Sequence, residues 1–443
     1  MYEVNEMYHL AIDIGASSGR HIVGWIEGGE LQTREVYRFW NGMDEVDGHL
    51  VWDTDRLYRE VKEGIKAAFR EFPEIESLSI DTWGVDYVLL KGDTEVKPTY
   101  AYRDSRMEES IPAVHALIPF ETLYERTGIM FNKFNTVYQL YRDKMDGRLE
   151  GVTDFLMLPE YFMYKLTGVK KKEFTDATTM GLINSETLQF DKEIWQKLGY
   201  PMELAAPVYQ PGTLVGRLTD EIKAEVGGDL NVVLCATHDT GSAVEAIEMT
   251  ENAPYISSGT WSLLGVKTEK AITDENSRAS GYSNEGGVGY NRYQKNITGM
   301  WIIQSLRKEM CPDMPYGDIA AMAKESDYCE IFDVNDDAFT APKSMKDAIA
   351  DYITARGGKA PAEMKDYFNS AYVSLADGYR KAILDLERNT GKTYPAIYIV
   401  GGGAKNTYLN ALTEKATGKK VIALPIEATA IGNLKIQIKA AGN

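Results

Sequence analysis

The sequence predicts a two-domain α/β protein that uses one opening, β-hairpins followed by α/β units, twice. Three observations predict it. The tripeptide Ser-Ser-Gly occurs at 17–19, in LAIDIGASSGRHIVGW, and again at 257–259, in PYISSGTWSLLGV. Each copy ends a short apolar run and is followed by another, which reads as strand, tight turn, strand. The 443 residues are enough chain for two domains with ample cores, expected at 1–247 and 248–443. Glycine lets a backbone approach a ligand and lets successive amides point at one anion. Two such turns therefore suggest two half-sites facing one phosphate chain, although each taken singly is equally an ordinary hairpin turn.

In chain order, residues 8–14 and 21–26 read as strands around the first turn, and Gly28-Gly29 marks a hairpin into a third strand near Leu31–Phe39. Leu57, Val61, Ile65 and Phe69 share one face of a helix from Asp55 to Phe72, with Thr54 placed to cap it. Residues 76–81 are a strand ending in Asp81-Thr82-Trp83-Gly84, with Tyr87–Leu90 as its expected hairpin mate. Residues 119–168 are mostly helical, most clearly at Phe134–Lys144 and Pro159–Leu166. Asn231–Ala236 is a short apolar strand running into His238-Asp239-Thr240-Gly241 and then a helix through Glu248, the expected bridge between the domains. Pro254–Ser257 and Ser262–Lys267 flank the second turn, and helices follow near Thr298–Glu309 and Lys365–Asn389. Tyr394–Val400 is a strand ending in Gly401-Gly402-Gly403, and a helix starts from Asn406.

The net charge of −18 argues against nucleic acid or an anionic membrane surface as partner. A phosphate ligand must then be held by local donors and a cation. Hydrophobic content of 44% and charged content of 26% fit a soluble globular protein. Cys235, Cys311 and Cys329 are too scattered for a disulfide framework or a zinc site. The opening MYEVNEMYHL lacks the apolar core of a secretory signal. No apolar run approaches the ~20 residues of a membrane span, so the cytoplasm is the expected compartment.

Asp13 ends the first strand, just before the first turn. A carboxylate beside a phosphate cradle is repulsive unless a divalent metal mediates, and magnesium combines few carboxylates with water and phosphate oxygens. Asp13 reads as a magnesium-side acid or, equally, as an Asx-type turn residue. His238-Asp239-Thr240 lies at the carboxyl end of an apolar strand, where ligands bind in open α/β sheets. If the site transfers phosphoryl groups, one acid must accept the proton of the attacking hydroxyl. Asp239 is best placed, His238 is the rival base, and a helix cap is the structural alternative. Asp81-Thr82-Trp83-Gly84-Val85-Asp86 and Tyr102-Arg103-Asp104-Ser105-Arg106 combine charges with flat rings, as sugar sites do, or form a salt-bridged loop around a core Trp. Gly401-Gly402-Gly403 is not a Rossmann turn, because Asn406 replaces the last Gly and no acid ends the next strand. A glycine-lined shelf for a flat purine fits better. Gly391-Lys392-Thr393 is not a Walker loop, because a helix precedes it and Leu386 stands where the first Gly belongs.

With these pieces placed, the chain resembles the FGGY family of sugar kinases over nearly all residues from Ala11 to Asn433. The blocks carrying the resemblance are AIDIGASSGR, DTWGVDYVLL with AYRDSR, ATHDTGSAV, YISSGTWSLLG, NITGMWIIQ, IVGGGAKN and EATAIGN. The resemblance implies an actin-like fold of two ribonuclease-H-like domains with ATP in the cleft between them. It also implies transfer of the γ-phosphoryl group to the C1 hydroxyl of L-rhamnulose, with L-fuculose and L-xylulose as alternative ketoses. By motif, Asp239 matches the catalytic base, with His238 and Thr240 flanking it on the sugar side. Gly84 and Asn296 match sugar-side positions. Ala16, Ser17, Ser18, Gly19 and Arg20 match the first phosphate loop and Thr260 the second, while Gln304 and Gly402 match nucleotide-side positions. Asp13 is similar to the family's Mg²⁺-associated acid, acting through water. The expected partners are a ketose and ATP, with monomer and homo-oligomer both open. Two rivals use the same scaffold: a sugar- or nucleotide-binding regulator without turnover, and a filament-forming actin relative. Asp239 together with both phosphate turns argues against the regulator. After EATAIGN the family pattern continues into a further helical tail, whereas this sequence runs only to Asn443. That departure bears on how well the nucleotide domain is closed and how stable it is, and leaves both open.

Overall fold

Two six-stranded sheets carry the chain. The first has the spatial order Leu214–Arg217, Asn231–Val233, Ile75–Thr82, Tyr8–Ile14, Ser18–Glu27, Glu30–Trp40. The second has the order Lys420–Leu424, Ala396–Val400, Tyr255–Ser258, Trp261–Thr268, Asn291–Thr298, Ser283–Gly286. The computed structural model describes residues 7–249, 252–424 and 427–442. Residues 1–6 of the opening MYEVNE and Asn443, both used above, lie outside them.

In each sheet the strand entering the Ser-Ser-Gly turn sits in the middle. It is antiparallel to the strand that leaves the turn and parallel to a later strand on its other side. The repeat read from element order is thus a repeat of sheet topology. The sheets differ at their edges. The first adds Leu214–Arg217 beyond its parallel half, and the second adds Ser283–Gly286 beyond its antiparallel half.

Parallel pairing needs a crossover, and the helix Thr54–Glu71 supplies it before Ile75–Thr82. Its Leu57, Val61, Ile65, Ala68 and Phe69 are buried in the first core, and each large apolar side chain contributes roughly 1.5–3 kcal/mol when fully buried. The cap is Asp53, whose carboxylate accepts from Arg56 N at 2.8 Å. Thr54 is already helical and donates its hydroxyl to Glu95. A carboxylate also suits the positive helix start better than a hydroxyl.

The strand Tyr87–Lys91 is not the hairpin mate of Ile75–Thr82. It pairs with Asp154–Met157 and Thr94–Glu95 in a separate three-stranded sheet. Ile75–Thr82 lies between Tyr8–Ile14 and Asn231–Val233, so it has no free edge to offer. The helix expected near Thr298 starts at Trp301, because Asn291–Thr298 is a strand.

The helix Ala428–Ala440 belongs by sequence to the second half but packs on the first sheet. Leu434 meets Ala11 and Ile22. Gln437 donates to the Leu10 carbonyl at 3.0 Å and accepts from Ser77 Oγ at 2.6 Å. Its Gly432 lies against Ser242 of the helix Asp239–Glu245. No described helix is long and apolar enough to cross a membrane.

Candidate active site

Three acids stand at the carboxyl ends of three adjacent parallel segments of the first sheet, where such sheets bind ligands. Asp13 and Asp81 are register partners on Tyr8–Ile14 and Ile75–Thr82. The third segment continues past Asn231–Val233 and bridges His238 to Thr82, which brings Asp239 alongside. Arg20 donates to Asp13 Oδ2 from Nε at 3.0 Å and from Nη2 at 2.8 Å, and its Nη1 reaches Glu427. Asn433 donates to Asp81 Oδ2 at 2.5 Å. The other oxygen of Asp81 is buried without a hydrogen-bond partner. Burial raises the pKa of all three acids; the Asp13 charge adds to the rise at Asp81 and Asp239, and Arg20 opposes it at Asp13. Asp239 keeps 29% of its side chain exposed, so its carboxylate opens to the cleft while Asp81 is sealed.

Gly84, His238, Thr240 and Asn296 come together around one pocket of about 190 Å³, walled by Trp83, Val85 and Tyr102. Val85 holds φ at 70°, a conformation disfavoured for a β-branched residue and typical of constrained functional loops. Its amide donates to Thr179 Oγ1, and its carbonyl accepts from Thr136 and Gln139. Asp86 and Arg106, one from each sequence cluster, hold the scaffold and do not line the pocket. Asp86 accepts from Trp52 Nε1 at 2.7 Å and Trp83 Nε1 at 2.9 Å, and Arg106 pairs with Asp143 at 2.6 Å in a buried bridge. The flat rings of Trp83 and Tyr102 are the parts that line the pocket.

Gln304 and Gly402 line a second, larger cavity of about 860 Å³, with Gly259, Gly403, Tyr316 and Tyr408. Thr260 donates to Gln304 Oε1 at 3.3 Å. The size difference sorts the two cavities, because a nucleotide needs several hundred Å³. The second turn explains two of the three glycines: a Cβ on Gly401 would stand 2.8 Å from the Ser258 carbonyl oxygen and one on Gly403 2.0 Å from Ser258 Oγ, whereas one on Gly402 would meet nothing within 4 Å. On the first turn, Ser17 and Ser18 are exposed, Ala16 and Arg20 are half-buried and Gly19 is buried. Asn41 braces that turn by donating to the Gly15 carbonyl.

Sequence reasoning missed three residues here. Glu173 is fully buried and accepts from Thr237 N, Thr237 Oγ1 and Thr175 Oγ1, which fixes the segment before His238. Arg292 donates to Thr240 Oγ1 at 2.7 Å, and Glu285 lies 3.2 Å from His238 Nδ1. A charged residue in a predicted strand interior was the available signal for Arg292. Nothing local marks Glu173.

Asp176 lies under the same segment with both carboxylate oxygens buried and unpartnered. Burial raises its pKa well above 3.8. The folded state therefore binds this proton more tightly than the unfolded state, and the destabilisation grows as pH rises above the unfolded value. Asp176→Asn is expected to raise Tm at neutral pH and to lose that gain at about pH 3.5. Thermal melts at both pH values test this, and an unchanged Tm at neutral pH would refute it.

Comparisons with known proteins fit this geometry. The profile described as FGGY family of carbohydrate kinases, N-terminal domain, matches residues 8–244, and its C-terminal-domain counterpart matches residues 254–441. A curated protein named rhamnulokinase from Oceanobacillus iheyensis is 42% identical over 436 residues, covering 98% of this chain and 93% of its own. Another of that name from Bacillus subtilis is 38% identical over 444 residues, covering 98% and 90%. Among solved structures, a ligand-bound xylulose kinase from Lactobacillus acidophilus superposes with a TM-score of 0.80 at 16% identity, over 98% of this chain and 90% of its own. Glycerol kinase from Plasmodium falciparum with ADP superposes with a TM-score of 0.78 at 13% identity, over the same shares. These two support the shared fold, whereas the profiles and the curated relatives establish descent. The chain belongs to the FGGY family of carbohydrate kinases.

Proposed function

We propose that the chain is a rhamnulokinase in activity, transferring the γ-phosphoryl group of ATP to the C1 hydroxyl of L-rhamnulose. The observation that carries this reading is the convergence of residues from both halves, His238 and Thr240 from the first and Glu285, Gln294 and Asn296 from the second, on one small pocket at the two neighbours of Asp239. The choice of ketose rests on the curated relatives, all at 35–42% identity over nearly the full chain.

In the proposed mechanism, His238, Thr240, Gly84 and Asn296 orient the ketose. Asp239 accepts the proton of its C1 hydroxyl as that oxygen attacks phosphorus in line. Backbone amides of both Ser-Ser-Gly turns, at Ala16–Arg20 and beside Thr260, hold the phosphates. Gln304 and Gly402 face the nucleotide. Asp13 fits a hydrated Mg²⁺ held through water, since it stands beside the first turn with part of its side chain exposed, whereas its register partner Asp81 is sealed. Among the described residues no group of three or more His, Cys, Asp or Glu could hold a metal by itself, so water and phosphate oxygens would supply most ligands. When bound, Mg²⁺ would neutralise charge developing on the phosphates. We assign residues 1–247 to sugar binding and the base, and 248–443 to the nucleotide, with the helix Ala428–Ala440 returning to the first sheet. The three cysteines are free, in keeping with a reducing compartment, and we place the protein in the cytoplasm.

An ADP-release assay with Mg-ATP across a ketose panel tests the reading. L-Rhamnulose is expected to give the highest kcat/KM, and a higher value for L-fuculose or L-xylulose would refute the substrate assignment. ADP release without sugar is expected to be slow, because an open site would spend ATP on water. Equal release with and without ketose would refute substrate-coupled closure.

A further inference from the structure

Glu285 and Arg292 face each other across the hairpin formed by Ser283–Gly286 and Asn291–Thr298. The hairpin edges the second sheet, yet it is docked on the first half of the chain. Gly286 N donates to Thr178 Oγ1 at 2.8 Å and Asn284 N donates to the Gly128 carbonyl at 2.8 Å. From this position Arg292, fully buried, spreads its guanidinium over three acceptors and one ion-pair partner. Nε donates to the Gly286 carbonyl at 2.7 Å and Nη1 to Thr240 Oγ1 at 2.7 Å. Nη2 lies 3.1 Å from His238 Nδ1 and 3.1 Å from Glu285 Oε2. Glu285 Oε2 lies 3.2 Å from the same Nδ1.

Three of those four partners, on Thr240, His238 and Glu285, belong to residues that line the small pocket. A buried guanidinium is costly unless paired, and replacing a buried ion pair with apolar groups is often neutral for stability. An ion pair whose ends converge on a ligand pocket instead of closing on itself has a positional use. Nδ1 faces both ends of the pair: Arg292 Nη2 donates to it when it is unprotonated, and Glu285 Oε2 stands at ion-pair distance when the ring is charged. The other ring nitrogen, Nε2, lies 3.2 Å from Thr240 Oγ1 and 3.6 Å from Asp239 Oδ1.

We propose that Glu285 and Arg292 are positioning residues of the sugar site, holding the His238 ring and the Thr240 hydroxyl in one fixed arrangement for the ketose beside Asp239. The proposal rests on the ketose-kinase reading given above. Burial alone would raise the pKa of Glu285, but Arg292 and His238 pull it down to about 2, so the clamp is ionised throughout the working pH range. The second half of the chain thereby helps set which sugar hydroxyls are recognised in the first.

The test is steady-state kinetics of Glu285→Gln, which keeps the shape and removes the charge. The expected result is a ketose KM raised about 10- to 100-fold, the contribution of a hydrogen bond to a charged group, with the ATP KM unchanged. In a His238→Ala background the same substitution should move the ketose KM by less than about twofold, because the two effects share one route. An unchanged ketose KM in folded Glu285→Gln overturns the proposal, and so does an equal effect in the two backgrounds. Arg292→Lys, which loses the planar fork, should likewise raise the ketose KM. Glu285→Gln keeps the test decisive if Arg292→Lys fails to fold. The wild-type ketose panel separates the two readings. If another ketose is preferred, the L-rhamnulose assignment fails while the clamp is measured on that ketose. If none binds or reacts, both fail.

Discussion

Asp239→Asn is expected to fold normally and to lose about 10²–10⁴-fold in kcat, the usual contribution of a general base. The amide is nearly isosteric and can still accept the Thr240 backbone amide, which now donates to Asp239 Oδ1 at 2.5 Å. The start of the helix Asp239–Glu245 therefore survives, and only the proton acceptor is lost. The pH profile sharpens the test. Burial raises the pKa of Asp239 above 3.8, the nearby Asp13 charge adds to it, and His238 opposes it. Asp239 is a working base only above that raised pKa, so wild-type kcat/KM should fall on the acid side at a pH above the ordinary carboxylate value. The residual activity of Asp239→Asn should lack that limb. A folded variant with near-native kcat would remove Asp239 as base. If His238→Gln then lost the 10²–10⁴-fold instead, the base would be His238.

The two Ser-Ser-Gly turns, His238-Asp239-Thr240 and Gly401-Gly402-Gly403 were legible because their signals are local. Each is a cluster of small or polar residues placed where an apolar strand stops. The pairing of Tyr87–Lys91 was misread for the complementary reason. An apolar run of strand length looks the same whichever partner it finds, and here Asp154–Met157 competes for it. The charged cluster around Trp83 misled in chemistry, not in place. Its rings line the pocket, but Asp86 is occupied by two indoles and Arg106 by Asp143. Which side of a loop a charge faces depends on partners far along the chain. Glu173, Glu285 and Arg292 reach the His238 segment only through sheet pairing and docking, so their role becomes visible only in three dimensions.

Gly432→Ala is expected to lower both stability and kcat, because a steric clash outweighs the gain in helix propensity. Gly432 lies inside the helix Ala428–Ala440, where replacing Gly with Ala normally gains about 0.5–1 kcal/mol. Here a Cβ would stand 1.7 Å from the Ser242 carbonyl oxygen and 2.6 Å from its carbon. These are backbone atoms, so no side-chain rotation relieves the contact, and one helix must move. Overpacking of a close contact costs typically 1–3 kcal/mol and occasionally more, which outweighs the helical gain. Ser242 belongs to the helix that begins at Asp239, and on the other helix Asn433, next to Gly432, holds Asp81. Separating the helices therefore shifts Asp239 relative to Asp13 and Asp81, and kcat should fall along with Tm. Gly317→Ala is the control for stability alone, since Gly317 is also helical and has nothing within 4 Å of an added Cβ but lines the larger cavity. It should gain stability by up to about 1 kcal/mol. Matched thermal melts of the two variants and ketose kinetics of Gly432→Ala read the outcome. A Gly432→Ala protein as stable and active as wild type would mean that the close approach of the two helices is not needed to align the acids.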